Sequence, residues 1–174
     1  LTVGTLAVAS ETAQVEVGGT SSIELGLNRL GVVVRVDASD PDLDSQTEGL
    51  GLVGKSCAEA LEIISADADL QQTMADEGML VINVSSSSDS QQQGVLSQCE
   101  TASESFSCET TCMASRASLH DEAAANGMGA ARYSVYLQIA QIDPSVTVEQ
   151  CQGMSMRQLR DLLAQAQAQA TAAG

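Results

Sequence analysis

The sequence predicts an α+β domain, and three observations carry that expectation. The first third alternates apolar and polar residues in short runs, the period of half-buried strands. A capped helical pattern follows, with Ser56 and Glu59 spaced as a capping box ahead of Leu61, Ile64 and Ala68. The second half is alanine- and glutamine-rich, carries four of the five cysteines and offers a further box at Ser155 and Gln158.

TLAVA (5–9) and AQVEV (13–17) form the first strand signals, Gly18-Gly19 breaks the run, and SIELGL (22–27) and GVVVRV (31–36) follow. The capping box opens a helix that the pair Glu77-Gly78 closes with a left-handed glycine. MLVINV (79–84) is a short β-branched run suited to a buried strand, and with GVVVRV it would complete one β-α-β crossover. SSSSDSQQQG (85–94) is polar and low in complexity, an exposed loop and the candidate boundary between a β-rich portion, 1–84, and a mainly helical portion, 95–174. Within the latter, RYSVYLQIAQI places Tyr133, Val135, Leu137 and Ile139 on one face of a strand, and the run from Ser155 onward forms a helix.

Composition narrows the function classes. The chain has 174 residues, 44% of them apolar but with no Trp, one Phe and two Tyr, so each buried side chain contributes little area. Such a thin core favours packing against other protein subunits or further copies. A net charge of −16 repels phosphate backbones, which excludes nucleic acid from the expected partners. No apolar run approaches the roughly 20 residues of a membrane span. Cys99, Cys108, Cys112 and Cys151 sit in polar surroundings and are disulfide candidates, with Cys57 left over as a small buried apolar residue. Acidic, lysine-poor and cysteine-bearing, the chain is expected outside the cytoplasm: secreted, at a cell surface or in an organelle lumen.

Three motifs bear on chemistry. Gly49, Gly54, Lys55 and Ser56 fit G-x-x-x-x-G-K-[ST] and resemble the phosphate-binding loop of P-loop NTPases. That resemblance implies a nucleotide hydrolase with Lys55 on the phosphates and Ser56 on magnesium. The buried strand that should lead into such a loop is replaced by the polar DLDSQTE. Asp40, Asp42 and Asp44, with Glu48, are spaced to converge on a hard cation and resemble an EF-hand-type loop, which implies calcium as a possible ligand of a calcium-dependent binding module. Ser45 and Gly51 stand where that pattern has glycine and glutamate. Cys108, Cys112, Met113 and His120 would share a helical face suited to a soft metal. With no G-x-S-x-G elbow and a single histidine, no catalytic residue is assigned and no cofactor is expected. The function expected on these grounds is a non-catalytic structural or assembly subunit, a filament or coat component or a lumenal accessory subunit. The P-loop hydrolase and the calcium module stand as the alternatives.

Overall fold

The computed structural model describes residues 10–174, so the strand expected at 5–9 lies outside the described residues. The chain divides into two compact units, one ending at Ala117 and the other running from Ser118 to Gly174.

The first unit is built on a five-stranded sheet with β1 (Glu11–Gly18), β2 (Ser22–Asn28), β3 (Val33–Ala38), β4 (Met79–Ser86) and β5 (Glu109–Arg116) in the order β3-β2-β1-β4-β5. Every pairing is antiparallel except β4 with β5. Register lines the apolar residues into rows across the strands. Val36, Leu25, Val15 and Val84 form one row, and Ile23, Val17, Ile82 and Cys112 another. Because side chains alternate along a strand, these rows share one face. On that face pack α1 (Pro41–Glu48), α2 (Cys57–Ser65), α3 (Ala68–Met74) and α4 (Asp89–Ser103), which contribute Leu43, Leu61, Ile64, Leu70, Met74, Val95 and Cys99 to a single core.

The α+β class and the strands at 13–17, 22–27, 31–36 and 79–84 agree with the sequence, but the one β-α-β crossover is β4-α4-β5. The strand ending at Val36 does not neighbour β4, because β1 and β2 lie between them. The helix from Ser56 stops at Ser65, since Asp67 caps a new helix by accepting from Leu70 N at 2.9 Å. Glu77 and Gly78 both have positive φ and form a tight reversal into β4 instead of a helix cap.

The polar stretch 85–94 is not a loop. Ser85 and Ser86 end β4, Ser88 caps α4, and the glutamine amides reach across the sheet: Gln92 Nε2 donates to Val84 O at 3.1 Å and Ser115 O at 2.5 Å. Below them Val95, Cys99 and Ala102 keep helical spacing and are buried. Residues 109–116, expected to be helical, form the strand β5.

In the second unit, α5 (Leu119–Ala125), α6 (Ala130–Ile142), α7 (Val148–Gln152) and α8 (Met156–Ala173) are all helical. The segment expected as a strand is α6. Its alternation of Tyr133, Val135, Leu137 and Ile139 hides a second spacing: Ala131, Val135 and Ile139 lie four apart and are buried on one helical stripe, while Tyr133 and Tyr136 stack at 5.7 Å. The long helix α8 opens at the capping box of Ser155 and Gln158 and buries Met156, Leu159 and Ala166.

Candidate functional site

The glycine loop runs beside the edge strand β3 and is held to it by its backbone. Gly54 N donates to Val33 O at 2.8 Å, Val33 N to Lys55 O at 2.8 Å and Cys57 N to Gly31 O at 2.9 Å. The amides a phosphate would need are therefore engaged. At the start of α2, Glu59 occupies the anion position: its Oε2 accepts from Ser56 N and from Ser56 Oγ, each at 2.9 Å. Those bonds hold the Glu59 carboxyl below the usual carboxylate range. A helix N-terminus already carrying its own carboxylate does not receive a phosphate, so Gly54, Lys55 and Ser56 form a capped helix entry and not a nucleotide cradle. Gly49 sits apart from this entry as the C-cap of α1.

The acidic run forms a helix. Asp40 is the N-cap of α1, accepting from Leu43 N at 2.9 Å, and this bond, seconded by the Ser21 hydroxyl, keeps its carboxyl below the usual range. Asp42 and Asp44 lie in the first turn and Glu48 closes the helix. Residues two apart on a helix point about 200° apart, so Asp42 is turned away from Asp40 and Asp44; Asp44 and Glu48, four apart, share the face that lines the cleft beside β3, and the four carboxylates do not converge on one point.

All five cysteines are free thiols. Cys108 and Cys112 are four residues apart, but at the start and middle of an extended segment. That spacing is roughly 13 Å along a strand, too far for a disulfide or a shared metal. Cys151 is buried in α7 of the second unit, where burial raises its thiol. Cys57 and Cys99, both fully buried, meet instead. Cys57 opens α2, Cys99 lies in α4, and the two thiols stand close enough in the core to shift one another's ionisation. The neighbouring Cys57 thiol and burial hold the Cys99 thiol far above its ordinary range, while Cys57 is lowered by Cys99. Asn83, in a pattern that could accept a glycan, is 2% exposed in β4 and is not presented for modification.

The first residue that sequence reasoning missed lies on the opposite face of the sheet, along the edge strand. Arg35 on β3 holds three carboxylates from three strands. Its Nε donates to Glu11 Oε2 at 2.7 Å, its Nη2 to Glu11 Oε1 at 2.9 Å and to Glu24 Oε1 at 2.5 Å, and its Nη1 to Asp37. These bonds, that to Glu11 foremost, raise the guanidinium pKa and keep it charged. Gly26 makes the arrangement possible, because a Cβ built there would stand 2.3 Å from Glu11 Oε2. Glu11 thus crosses the bare strand to reach Arg35, a connection whose only sequence signal is the lone glycine within SIELGLN.

A second missed residue is Gln71, fully buried in α3. It accepts from Ser107 N at 2.8 Å and Ser107 Oγ at 3.0 Å and donates to Ser65 O at 2.8 Å. Beside β3, a cleft of 320 Å³ is lined by Val36, Asp44, Thr47, Glu48, Leu52 and Val53, with Val53 61% exposed at its rim. No helix of the described residues is long and apolar enough to cross a membrane.

This geometry defines an α+β domain whose charged and glycine motifs serve its own architecture: caps, an edge clasp and a cross-strand ion network. A family model, the anti-sigma factor RsgI-like central domain, matches residues 20–138, well over half of the chain. The chain belongs to that family. The match begins at the turn into β2 and takes in all of β2 to β5 with α1 to α4. No curated protein matches the chain. Membership overturns the expected filament, coat or accessory subunit, since the family is one of transcriptional regulators, and it lends nothing to the hydrolase or the calcium module. What survives of the expected partners is the coarser statement, a protein partner.

Proposed function

We propose that this chain is the central domain of an anti-sigma factor and acts there without catalysis, by protein–protein contact, in the control of a sigma factor. The observation that carries the reading is the coincidence of the family match with the fold: the matched stretch contains four of the five strands and the whole helical layer that covers them. The P-loop and acidic-run residues are absorbed by helix entry and helix capping. The surface is suited to a protein partner. A net charge of −16 disfavours nucleic acid, and the cleft beside β3 combines Val36, Leu52 and Val53 with Asp44 and Glu48.

A location outside the cytoplasm is part of this reading, and the lysine-poor acidic composition is what supports it. In this arrangement the sigma factor is the partner of the anti-sigma factor as a whole, and the domain biases that contact through the rest of the protein. The test is a reporter gene driven by the sigma factor in cells whose anti-sigma factor carries or lacks residues 20–138, at matched protein levels. A changed reporter output is expected. Output indistinguishable between the two would refute the assignment.

A further inference from the structure

Cys57 and Cys99 stand 42 positions apart in the sequence, yet they occupy the contact between α2 and α4, two helices that pack directly on one another. Both side chains are 0% exposed and lie in one core cluster, where the two thiols act on one another's ionisation. Two thiols brought together by separate helices, with no metal role for either among the described residues, meet the first condition for a disulfide, neighbouring positions in the fold. Cys57 also opens its helix. A thiolate is the attacking species in exchange. A cleft of 270 Å³ lies along the same helix contact, lined by Ala58, Glu62, Ser97, Gln98 and Thr101, the immediate sequence neighbours of both cysteines among them. An oxidant therefore has a groove from which a modest parting of α2 and α4 exposes the pair.

We propose that Cys57 and Cys99 are a redox pair that closes into a disulfide and staples α2 to α4 in an oxidising compartment. The co-reactant is a disulfide: an oxidoreductase in its oxidised form in the cell, oxidised glutathione in vitro. Cys57 gives its proton to solvent and its thiolate attacks one sulfur of that disulfide, releasing the other as a thiolate. Cys99, deprotonated in turn, displaces the second thiolate from Cys57. One S–S bond breaks and one forms. Two electrons pass from the cysteine pair to the oxidant, whose two sulfurs take up two protons. Cys112, on β5 and packed against the same core, is the competing partner for Cys99 and sets the control.

The experiment exposes the purified full chain, under native conditions, to oxidised glutathione. Free thiols are then blocked, and the chain is digested without reduction for peptide mass mapping. A linked pair of peptides containing Cys57 and Cys99 is expected, lighter than the two free peptides by two hydrogens. The roughly 40-residue closed loop should raise the melting temperature by ~10 °C, and dithiothreitol should reverse the rise. Cys57→Ala and Cys99→Ala should each abolish linkage and rise. If either variant fails to fold, the wild-type map alone decides. Linkage of Cys99 to Cys112, glutathione adducts without an internal bond, or full alkylation of Cys57 and Cys99 after oxidation would each overturn the proposal.

Discussion

Replacing Arg35 with methionine tests how the sheet is fastened across its strands. The guanidinium side chain is 32% exposed and engages Glu11, Glu24 and Asp37, whose side chains are 26%, 14% and 64% exposed. Each pair is partly open to water, so each contributes well under the value of a buried bridge, about 0.5–1 kcal/mol after screening. The three together give ~2 kcal/mol, and the change also leaves three carboxylates facing one another without a counter-charge. The assay is urea unfolding of Arg35→Met in low salt and in 1 M sodium chloride, where the Debye length falls to about 3 Å and most of the difference should vanish.

Gly26→Ala supplies the decisive cross. In the wild type its methyl would push Glu11 off Arg35, costing ~1 kcal/mol despite the better strand propensity of alanine. In the Arg35→Met background no ion pair remains to disturb, so the same change should become neutral or stabilising by up to about 1 kcal/mol. An Arg35→Met midpoint equal to the wild type in low salt would refute the reasoning, as would Gly26→Ala effects identical in the two backgrounds.

Other consequences follow from the same structure. Ser56→Ala should cost ~1 kcal/mol of stability by thermal or urea unfolding, through loss of the capping box. Magnesium-ATP should leave the melting temperature of the wild type and of Lys55→Ala unchanged. Gln71→Leu, which strands Ser107 N and Ser65 O in a buried setting, should cost about 2 kcal/mol, while changes at exposed glutamines such as Gln141 should be silent. Acid should weaken the fold. Asp40, Glu59 and Asp143 all have depressed folded-state values, from bonds to Leu43 N, Ser56 N and the Ser145 hydroxyl respectively. Their contribution is fully present above the ordinary carboxylate value of about 4 and is lost as pH falls through the lower folded values, which a melting series from pH 6 to pH 2 would follow.

Local signals were legible where one residue type decides one local geometry. The capping boxes at Ser56 and Ser155 and the alternating strands at 13–17 and 22–27 are written in spacing alone. What escaped depends on partners distant in sequence. The glutamines of α4 look like a linker until Val84 and Ser115 supply their carbonyls. The run from Tyr133 to Ile139 satisfies period two and helical spacing at once, and tertiary burial of Ala131, Val135 and Ile139 selects the helix. Likewise Cys57, set aside as a spare thiol, and Cys99, assigned to other partners, are neighbours only because α2 and α4 pack together. The P-loop pattern shows the converse: four matching residues, each with a local structural task, do not make a site.

The reading that this folded domain takes part in sigma-factor control is met most directly by one substitution in the intact anti-sigma factor. Leu25, fully buried between Val15 and Val36 at the centre of the sheet, becomes Asp in Leu25→Asp, which destroys the core. At equal cellular levels of the two proteins, the sigma-dependent reporter should shift to the output obtained when residues 20–138 are removed. Wild-type output from the Leu25→Asp protein would contradict the account.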